Sequence, residues 1–214
     1  MAKEKIQRPQ TLGEEIANSI SHGLGAVLAV AGAVPLLVKA AMGGSTAAVV
    51  GMAVYAGSLI ILYGASAIYH GVQNPQRKAV LRVLDHCSIF LLILGTYVPL
   101  ALLTLGGTLG WVLIAINTVL AVVGIALDLI DLNRFSKFTL VLYAAMGWLI
   151  LPALKTVVQV LPMAGVLLLA SGGVAYTLGI AFYKSKKHYM HFIWHLFVLA
   201  GSVLQYFCVL LYYV

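Results

Sequence analysis

The strongest constraint on this chain is a succession of apolar runs that extends from residue 20 almost to the end of the 214-residue sequence. A helix needs about 20 apolar residues to cross the roughly 30 Å hydrocarbon core of a bilayer, and each run is close to that length. Only 9% of the residues are charged and 62% are hydrophobic, whereas soluble domains carry about 25% charged residues. The composition therefore excludes a soluble globular domain and a disordered chain, and two cysteines are too few for a secreted disulfide scaffold.

Seven of these runs predict an all-α integral membrane protein, folded as a seven-transmembrane helix bundle. The predicted spans are about 20–41, 45–69, 84–104, 109–130, 138–154, 161–183 and 190–213. Short connections with Gly, Pro, Asn and charged residues separate them, and none is long enough to divide the chain into domains. We therefore predict a short polar segment over residues 1–13, followed by a single transmembrane domain over residues 14–214.

The basic residues predict the orientation of the bundle. Eleven of the 13 Lys and Arg fall in the N-terminal segment and in the connections on its side of the membrane. These are Lys3, Lys5, Arg8, Arg77, Lys78, Arg82, Arg134, Lys137, Lys184, Lys186 and Lys187, against Lys39 and Lys155 on the opposite side. Because Lys and Arg accumulate in cytoplasmic loops, we expect a cytoplasmic N-terminus and a periplasmic or extracellular C-terminus. Nucleic acid is not an expected partner, since the positive charge is scattered over short loops rather than clustered on one face.

Polar side chains that are costly inside a membrane gather at one end of the predicted bundle. They stand at the start of the first span, the end of the second, and the starts of the third and the seventh. These residues are Glu15, Asn18, Ser21, His22, Ser66, His70, Asp85, His86, His191 and His195. The predicted topology places all of them near the cytoplasmic face, so they are the candidate functional residues.

The spacing of three histidines favours a metal centre. His191 and His195 are four residues apart and project from one face of a helix, as the histidines do in metal-binding His-x-x-x-His motifs. His70 can supply a third imidazole, and three protein ligands with a water form the catalytic arrangement for zinc. Asp85 could then orient that water or accept its proton. Such ligands suit zinc without excluding iron or nickel, and hydrogen bonding between helices is the alternative role of the histidines.

Four further polar residues can be understood from their places on the predicted helices. Glu15 stands in the first turn of a helix, where the macrodipole favours an acid, so capping accounts for it as well as a role in the site. Asp128 and Asp131 lie near Arg134, and an interfacial salt bridge is the favoured interpretation. Ser66 stands one helical turn before the candidate histidine of the second span and shares its face.

The ordered motifs are Glu15-x-x-Asn18-x-x-Ser21-His22, Ser66-x-x-x-His70, Asp85 with Leu91-Leu92-Ile93-Leu94-Gly95-Thr96-Tyr97-Val98-Pro99, and His191-x-x-x-His195. Together they resemble the hemolysin III family, the bacterial branch of the progestin and adipoQ receptor (PAQR) proteins. That wider group is similar to alkaline ceramidases and other membrane hydrolases. The resemblance covers nearly the whole chain and implies a multi-pass protein of the bacterial cytoplasmic (inner) membrane.

The resemblance also implies a role for each matching residue. His70, His191 and His195 match the three zinc ligands of the family. Asp85 matches the aspartate that holds the zinc-bound water, and Ser66 matches a serine close beside it. These two are the predicted catalytic residues.

Three residues of the first span are expected to support the site. His22 matches the histidine of the family's first motif, but the sequence gives little reason to make it a ligand. Glu15 and Asn18 precede it in the same motif and are placed with it as supporting residues.

The favoured function is a zinc-dependent hydrolase of a lipid amide or ester, acting in membrane-lipid homeostasis. Asp85 would be its base, and Ser66 or the metal would stabilise the oxyanion. The alternative is a non-catalytic sensor or regulator that binds a membrane lipid and uses zinc as a structural brace. A pore-forming hemolysin is the least favoured function, because conduction needs polar groups at mid-membrane depth. The middles of the spans offer few, such as Asn117, Thr118 and Gln205.

Overall fold

The computed structural model describes residues 10–213, and every regular element in this range is helical. The α-helices are α1 (Leu12–Met42), α2 (Thr46–Gly71), α3 (Pro75–Pro99), α4 (Gly107–Gly147), α5 (Leu154–Val160), α6 (Met163–Tyr183) and α7 (Met190–Tyr212). A π-helix over Leu100–Leu105 follows α3, and a 3-10 turn over Leu151–Ala153 precedes α5. The all-α prediction is confirmed for these residues. The basic residues Lys3, Lys5 and Arg8, and most of the predicted 1–13 segment, lie outside the described range.

Six helices in residues 10–213 are long and apolar enough to cross a membrane. They cover Leu12–Met42, Thr46–Gly71, Pro75–Leu105, Gly107–Val160, Met163–Tyr183 and Met190–Tyr212. The chain is therefore a multi-pass membrane protein by the length and composition of its helices.

Within the fourth of these segments, helix α4 is interrupted by one non-helical residue. A straight helix of its 54 residues would extend roughly 80 Å at about 1.5 Å per residue, far more than a bilayer core of about 30 Å. Asp131, with φ −164° and ψ 94°, breaks α4 into two parts. The predicted spans 109–130 and 138–154 lie on either side of this break.

Two helices begin ahead of the apolar runs that predicted them, because their starts are capped. At α1, Thr11 Oγ1 accepts a hydrogen bond from the Glu14 N–H at 3.3 Å, and Glu14 Oε2 accepts one from the Thr11 N–H at 2.8 Å. Helix α3 begins at Pro75 rather than at 84, with Asn74 as its N-cap. The additional turns bring more polar residues to the end of the bundle that carries the histidines.

A glycine on α1 sets the distance between α1 and α2. A Cβ atom at Gly25 would lie 2.5 Å from the ring of Tyr63, so only glycine fits this close approach. Tyr63 in turn packs edge-on against His22, with ring centroids 5.0 Å apart. Helix α1 also packs against α7. Helix α1 therefore packs against both α2, which carries His70, and α7, which carries His191 and His195.

The polar residues at mid-membrane positions bond to the backbone. The side-chain amide of Asn117 and the hydroxyl of Thr118 donate to carbonyls one turn earlier in α4, at 3.3 and 2.8 Å. The Gln205 amide donates across to the Leu169 carbonyl at 3.0 Å. These contacts are typical of helix packing in membranes.

Candidate metal centre

The start of α7 is fixed by the same carboxylate that caps α1. Tyr189, just before α7, has φ 60°, a left-handed conformation that is unusual for a bulky residue. Its backbone N–H donates to Glu14 Oε1 at 2.7 Å, which ties the α6–α7 connection to the first turn of α1. This contact places His191 and His195, in the first two turns of α7, beside α1.

Three histidines from the ends of α2 and α7 converge. One ring nitrogen from each of His70, His191 and His195 lies within 4.8 Å of the others. We call these three residues the histidine triad. His70 and His195 are fully buried, and His191 is half-buried. The sequence predicted this group, and the structure brings it together as one that could hold a metal ion.

Each ring of the triad has one buried nitrogen without a hydrogen-bond partner in the described residues. The Nε2 atoms of His70, His191 and His195 are buried, and no residue from 10 to 213 forms a hydrogen bond with them. A buried polar atom without a partner costs about 1–3 kcal/mol. Three such nitrogens in one place fit a divalent cation that takes imidazole ligands. The donor set suits zinc but does not by itself identify the metal.

Glu15 orients the ring of His70. The Glu15 Oε2 atom lies 2.7 Å from His70 Nδ1, and its Oε1 atom lies 3.0 Å from Lys78 Nζ. A carboxylate that accepts from Nδ1 fixes the tautomer and leaves Nε2 available to a metal. The Glu15 side chain therefore contacts the triad instead of capping α1, which Glu14 does.

Ser21, a candidate functional residue without a specific predicted role, has the same relation to His195. Its hydroxyl donates to the Asn18 carbonyl at 2.9 Å and lies 3.3 Å from His195 Nδ1. The hydroxyl oxygen can thus accept a hydrogen bond from Nδ1, which again leaves Nε2 for a metal. The position of Ser21 one residue before His22 was the only signal in the sequence.

Two predicted supporting residues, Asn18 and His22, border the triad. The Asn18 Nδ2 atom donates to Gln10 Oε1 at 2.5 Å and lies 3.5 Å from His70 Nδ1. The His22 ring stacks on the His195 ring, with centroids 3.5 Å apart and planes 11° apart. Neither ring nitrogen of His22 has a hydrogen-bond partner in the described part of the chain.

Asp85 lies close to the triad without belonging to it. The side chain is buried within α3, and its carboxyl group lies near the hydroxyl of Ser66. The backbone carbonyl of Asp85 accepts a hydrogen bond from the Ser88 hydroxyl at 2.5 Å. The two predicted catalytic residues therefore lie near each other, and Ser66 precedes His70 by one turn on α2.

An apolar cavity of about 310 Å³ begins at this polar end of the bundle. We call it the apolar cavity. It lies between α3, the second part of α4, α5, α6 and α7, and most of its lining is aliphatic or aromatic. Asp85 and His22 are among its few polar lining residues. A long apolar molecule in this space would have one end beside Asp85.

Asp128 and Asp131 have partners other than the salt bridge predicted near Arg134. Asp131 Oδ1 accepts from the backbone N–H groups of Asn133 and Arg134, at 3.1 and 3.0 Å, and so caps the helix after the break. Asp128 is buried and accepts a hydrogen bond from the Tyr143 hydroxyl at 3.3 Å. Backbone capping and a tyrosine therefore engage these carboxylates.

Sequence comparisons relate the chain to proteins of bacteria and mammals. A family model described as "Haemolysin-III related" matches residues 10–206. Hemolysin-3 of Bacillus cereus is 41% identical over 213 residues, which cover 99% of this chain and 97% of the relative. The Hemolysin-3 homolog of Bacillus subtilis (strain 168) is 40% identical over 94% of this chain and 95% of the relative. The human monocyte to macrophage differentiation factor is 29% identical over 165 residues, which cover 73% of this chain and 67% of the relative.

Proposed function

The chain belongs to the Haemolysin-III related family, and from that premise we propose that it is a zinc-dependent hydrolase of a lipid amide or ester in membrane-lipid homeostasis. One observation carries the proposal. Three histidines converge near a buried aspartate that lines an apolar cavity, and each of their rings has a buried nitrogen without a hydrogen-bond partner in residues 10–213.

The triad residues His70, His191 and His195 would hold the zinc. When bound there, zinc would supply Lewis acidity towards a carbonyl group and would favour ionisation of water. Glu15 and Ser21 contact the Nδ1 atoms of two triad rings, so they keep those rings aimed at one point. The carboxylate of Glu15 also offsets part of the positive charge of the site.

Asp85 would accept the proton of the attacking water. Its carboxyl group lies at the boundary between the triad and the apolar cavity, where a scissile carbonyl would stand. Ser66 lies near this carboxyl, so it would act as a positioning residue that holds Asp85 in place. The apolar lining excludes bulk water and accommodates the acyl chain of the lipid.

Metal content and turnover together test this proposal. We expect purified wild-type protein to hold about one zinc per chain and to hydrolyse members of a panel of lipid esters and amides. His191→Ala should lose both properties, since a site with two histidines binds zinc weakly. His188→Ala is the matched control, because His188 is exposed and stands outside the triad. A His191→Ala protein that keeps its zinc and its turnover would contradict the proposal.

A second candidate function is a lipid sensor with structural zinc. The observation in its favour is that the metal would connect α2 to α7 across α1, which packs against both. Asp85→Asn separates the two functions. If the protein is a hydrolase, the Asp85→Asn variant should lose turnover and retain zinc. If it is a sensor, the variant should keep the effect of the protein on the lipid composition of the cell.

We also propose seven crossings, with the N-terminus in the cytoplasm and the C-terminus outside the inner membrane. The break at Asp131 supports two crossings within Gly107–Val160. The concentration of Lys and Arg on one side supports the orientation. In a cysteine-labelling assay, the variants Lys137→Cys and Lys155→Cys should react with a membrane-impermeant thiol reagent from opposite sides of the membrane. Labelling of both from one side would contradict this topology.

A further inference from the structure

A second cavity, of about 660 Å³, opens beside the histidine triad. Its lining includes Lys137 from the second part of α4 and Lys184, Lys186 and Lys187 from the connection between α6 and α7. We call it the lysine pocket. Two segments distant in sequence therefore place ammonium groups around one space, next to serine hydroxyls of the same segments. Such a set of donors is suited to an anionic oxygen-rich group.

The acidic residue that faces this pocket is already engaged by other groups. Within the described range, the lining includes one carboxylate, that of Glu14. Its oxygens accept hydrogen bonds from the backbone N–H groups of Thr11 and Tyr189, at 2.8 and 2.7 Å, and from the Thr11 hydroxyl at 3.0 Å. Its side chain is only 4% exposed. Within the described range, four lysines therefore surround the pocket against one carboxylate, which favours an anionic ligand.

The lysine pocket and the apolar cavity are adjacent spaces with a common wall. Four residues line both of them: Leu140, Ala144, Ile180 and Tyr183. His191 of the triad lines the lysine pocket, whereas Asp85 lines the apolar cavity. The metal centre therefore stands where a charged space meets an apolar one.

Building on the proposed hydrolase function, we infer that the substrate is a phosphate-bearing lipid. Its phosphate binds in the lysine pocket, and its acyl chain occupies the apolar cavity. In such a lipid the ester lies between the phosphate and the acyl chain, and this division matches the order of lysine pocket, triad with Asp85, and apolar cavity. The lysine pocket thus selects the headgroup of the substrate.

Three probes test the inference on the full-length protein in a neutral detergent. The first is an ether-linked lysophosphatidic acid, the second is the 1-O-alkylglycerol of the same chain length without phosphate, and the third is inorganic phosphate. Dissociation constants are measured by thermophoresis. We expect the phosphate-bearing lipid to bind roughly tenfold or more tightly than the alkylglycerol, because lysines attract an anionic headgroup.

Paired charge substitutions then locate the effect. Lys137→Gln with Lys184→Gln should weaken binding of the phosphate-bearing lipid roughly tenfold and leave the alkylglycerol unchanged. Lys137→Arg with Lys184→Arg should keep the affinity, which separates lost charge from misfolding. Arg77→Gln with Arg134→Gln removes the same charge from exposed residues outside the pocket, and it should change the affinity less than about twofold.

Three results would overturn the inference. The first is an equal affinity for the two lipid probes. The second is an equal loss of affinity in the Lys→Gln pair and the Arg→Gln pair. The third is binding of inorganic phosphate as tight as that of the lipid, which would indicate a site for free phosphate. The ether linkage resists ester hydrolysis, so binding is measured apart from turnover. If the hydrolase proposal is wrong, phosphate-dependent binding can still be observed. If the lysine pocket does not bind phosphate, zinc content and turnover are unaffected.

Discussion

Two buried polar clusters lie on the same faces of α2 and α7, about two helical turns apart. One is the histidine triad. The other joins Tyr63, Ser202 and Tyr176, and we call it the tyrosine–serine cluster. Tyr63 precedes His70 by seven residues and Ser202 follows His195 by seven, so both clusters use the same pair of helices. Their hydrogen bonding nevertheless differs.

In the tyrosine–serine cluster the hydroxyl groups satisfy one another. Tyr63 donates to Ser202 Oγ at 2.7 Å, and the Tyr176 hydroxyl lies 2.9 Å from the same oxygen. In the triad, each of the three rings has a buried Nε2 atom with no partner among residues 10–213. Groups that satisfy each other join helices, whereas nitrogens that converge without partners indicate a ligand. The comparison therefore separates a packing contact from a candidate functional site.

The largest expected effect is on the triad itself. His195→Ala should reduce zinc from about one ion per chain to a small fraction, because two imidazoles cannot form the three-ligand site. Tyr63→Phe, two turns deeper, should leave the zinc content unchanged. Elemental analysis of both purified variants measures this difference. Equal zinc content in the two would remove the distinction between the clusters.

The next largest effect concerns Asp85, which lines the apolar cavity and stands outside the triad. Asp85→Asn should lower turnover of a hydrolysed lipid by roughly 10²- to 10⁴-fold, the usual contribution of a general base, with zinc retained. Ser66→Ala, which removes only the contact to Asp85, should cost less. A steady-state assay with zinc measured on the same samples checks both values, and loss of zinc in Asp85→Asn would assign Asp85 to the ligand set.

A smaller effect is expected from the residue that orients His70. Glu15→Gln should weaken zinc affinity roughly 10- to 100-fold, as loss of a carboxylate behind a histidine ligand does. Competition with a chelator of known affinity measures it. Lys78→Gln is the control, since it removes a partner of Glu15 without touching a triad ring. An unchanged affinity in Glu15→Gln would mean that the contact to His70 is incidental.

The smallest effect belongs to the tyrosine–serine cluster. Tyr63→Phe removes one hydroxyl, and Ser202 keeps its contact with Tyr176. We expect a loss of about 1 kcal/mol in the free energy of unfolding, typical of one hydrogen bond. Denaturation in detergent measures the change. A drop in zinc affinity instead would show that the two clusters are coupled.

Local patterns predicted much of the helical architecture and the triad. Apolar runs of span length reveal membrane helices, and the four-residue spacing of His191 and His195 is visible in any helix. His70 could be added because the predicted topology put its helix end at the same depth. These inferences need no knowledge of how the helices pack.

The remaining features depend on contacts between distant residues or on backbone detail. The contact of Glu15 with His70 joins α1 to α2, and the contact of Ser21 with His195 joins residues even farther apart in sequence. At the break in α4, the Asp131 side chain caps the next helix. The sequence instead predicted a salt bridge, because Asp131 stands three residues before Arg134. The early start of α1 follows from the capping box of Thr11 and Glu14, which lies outside the apolar run.

The most direct test of the metal centre is X-ray absorption at the zinc edge on protein purified without added metal. We predict one zinc per chain with nitrogen neighbours at about 2.0–2.1 Å and the outer-shell scattering of three imidazoles. His191→Ala should remove this signal. A protein without bound metal, or a zinc shell containing sulfur, would contradict the assignment of the three histidines.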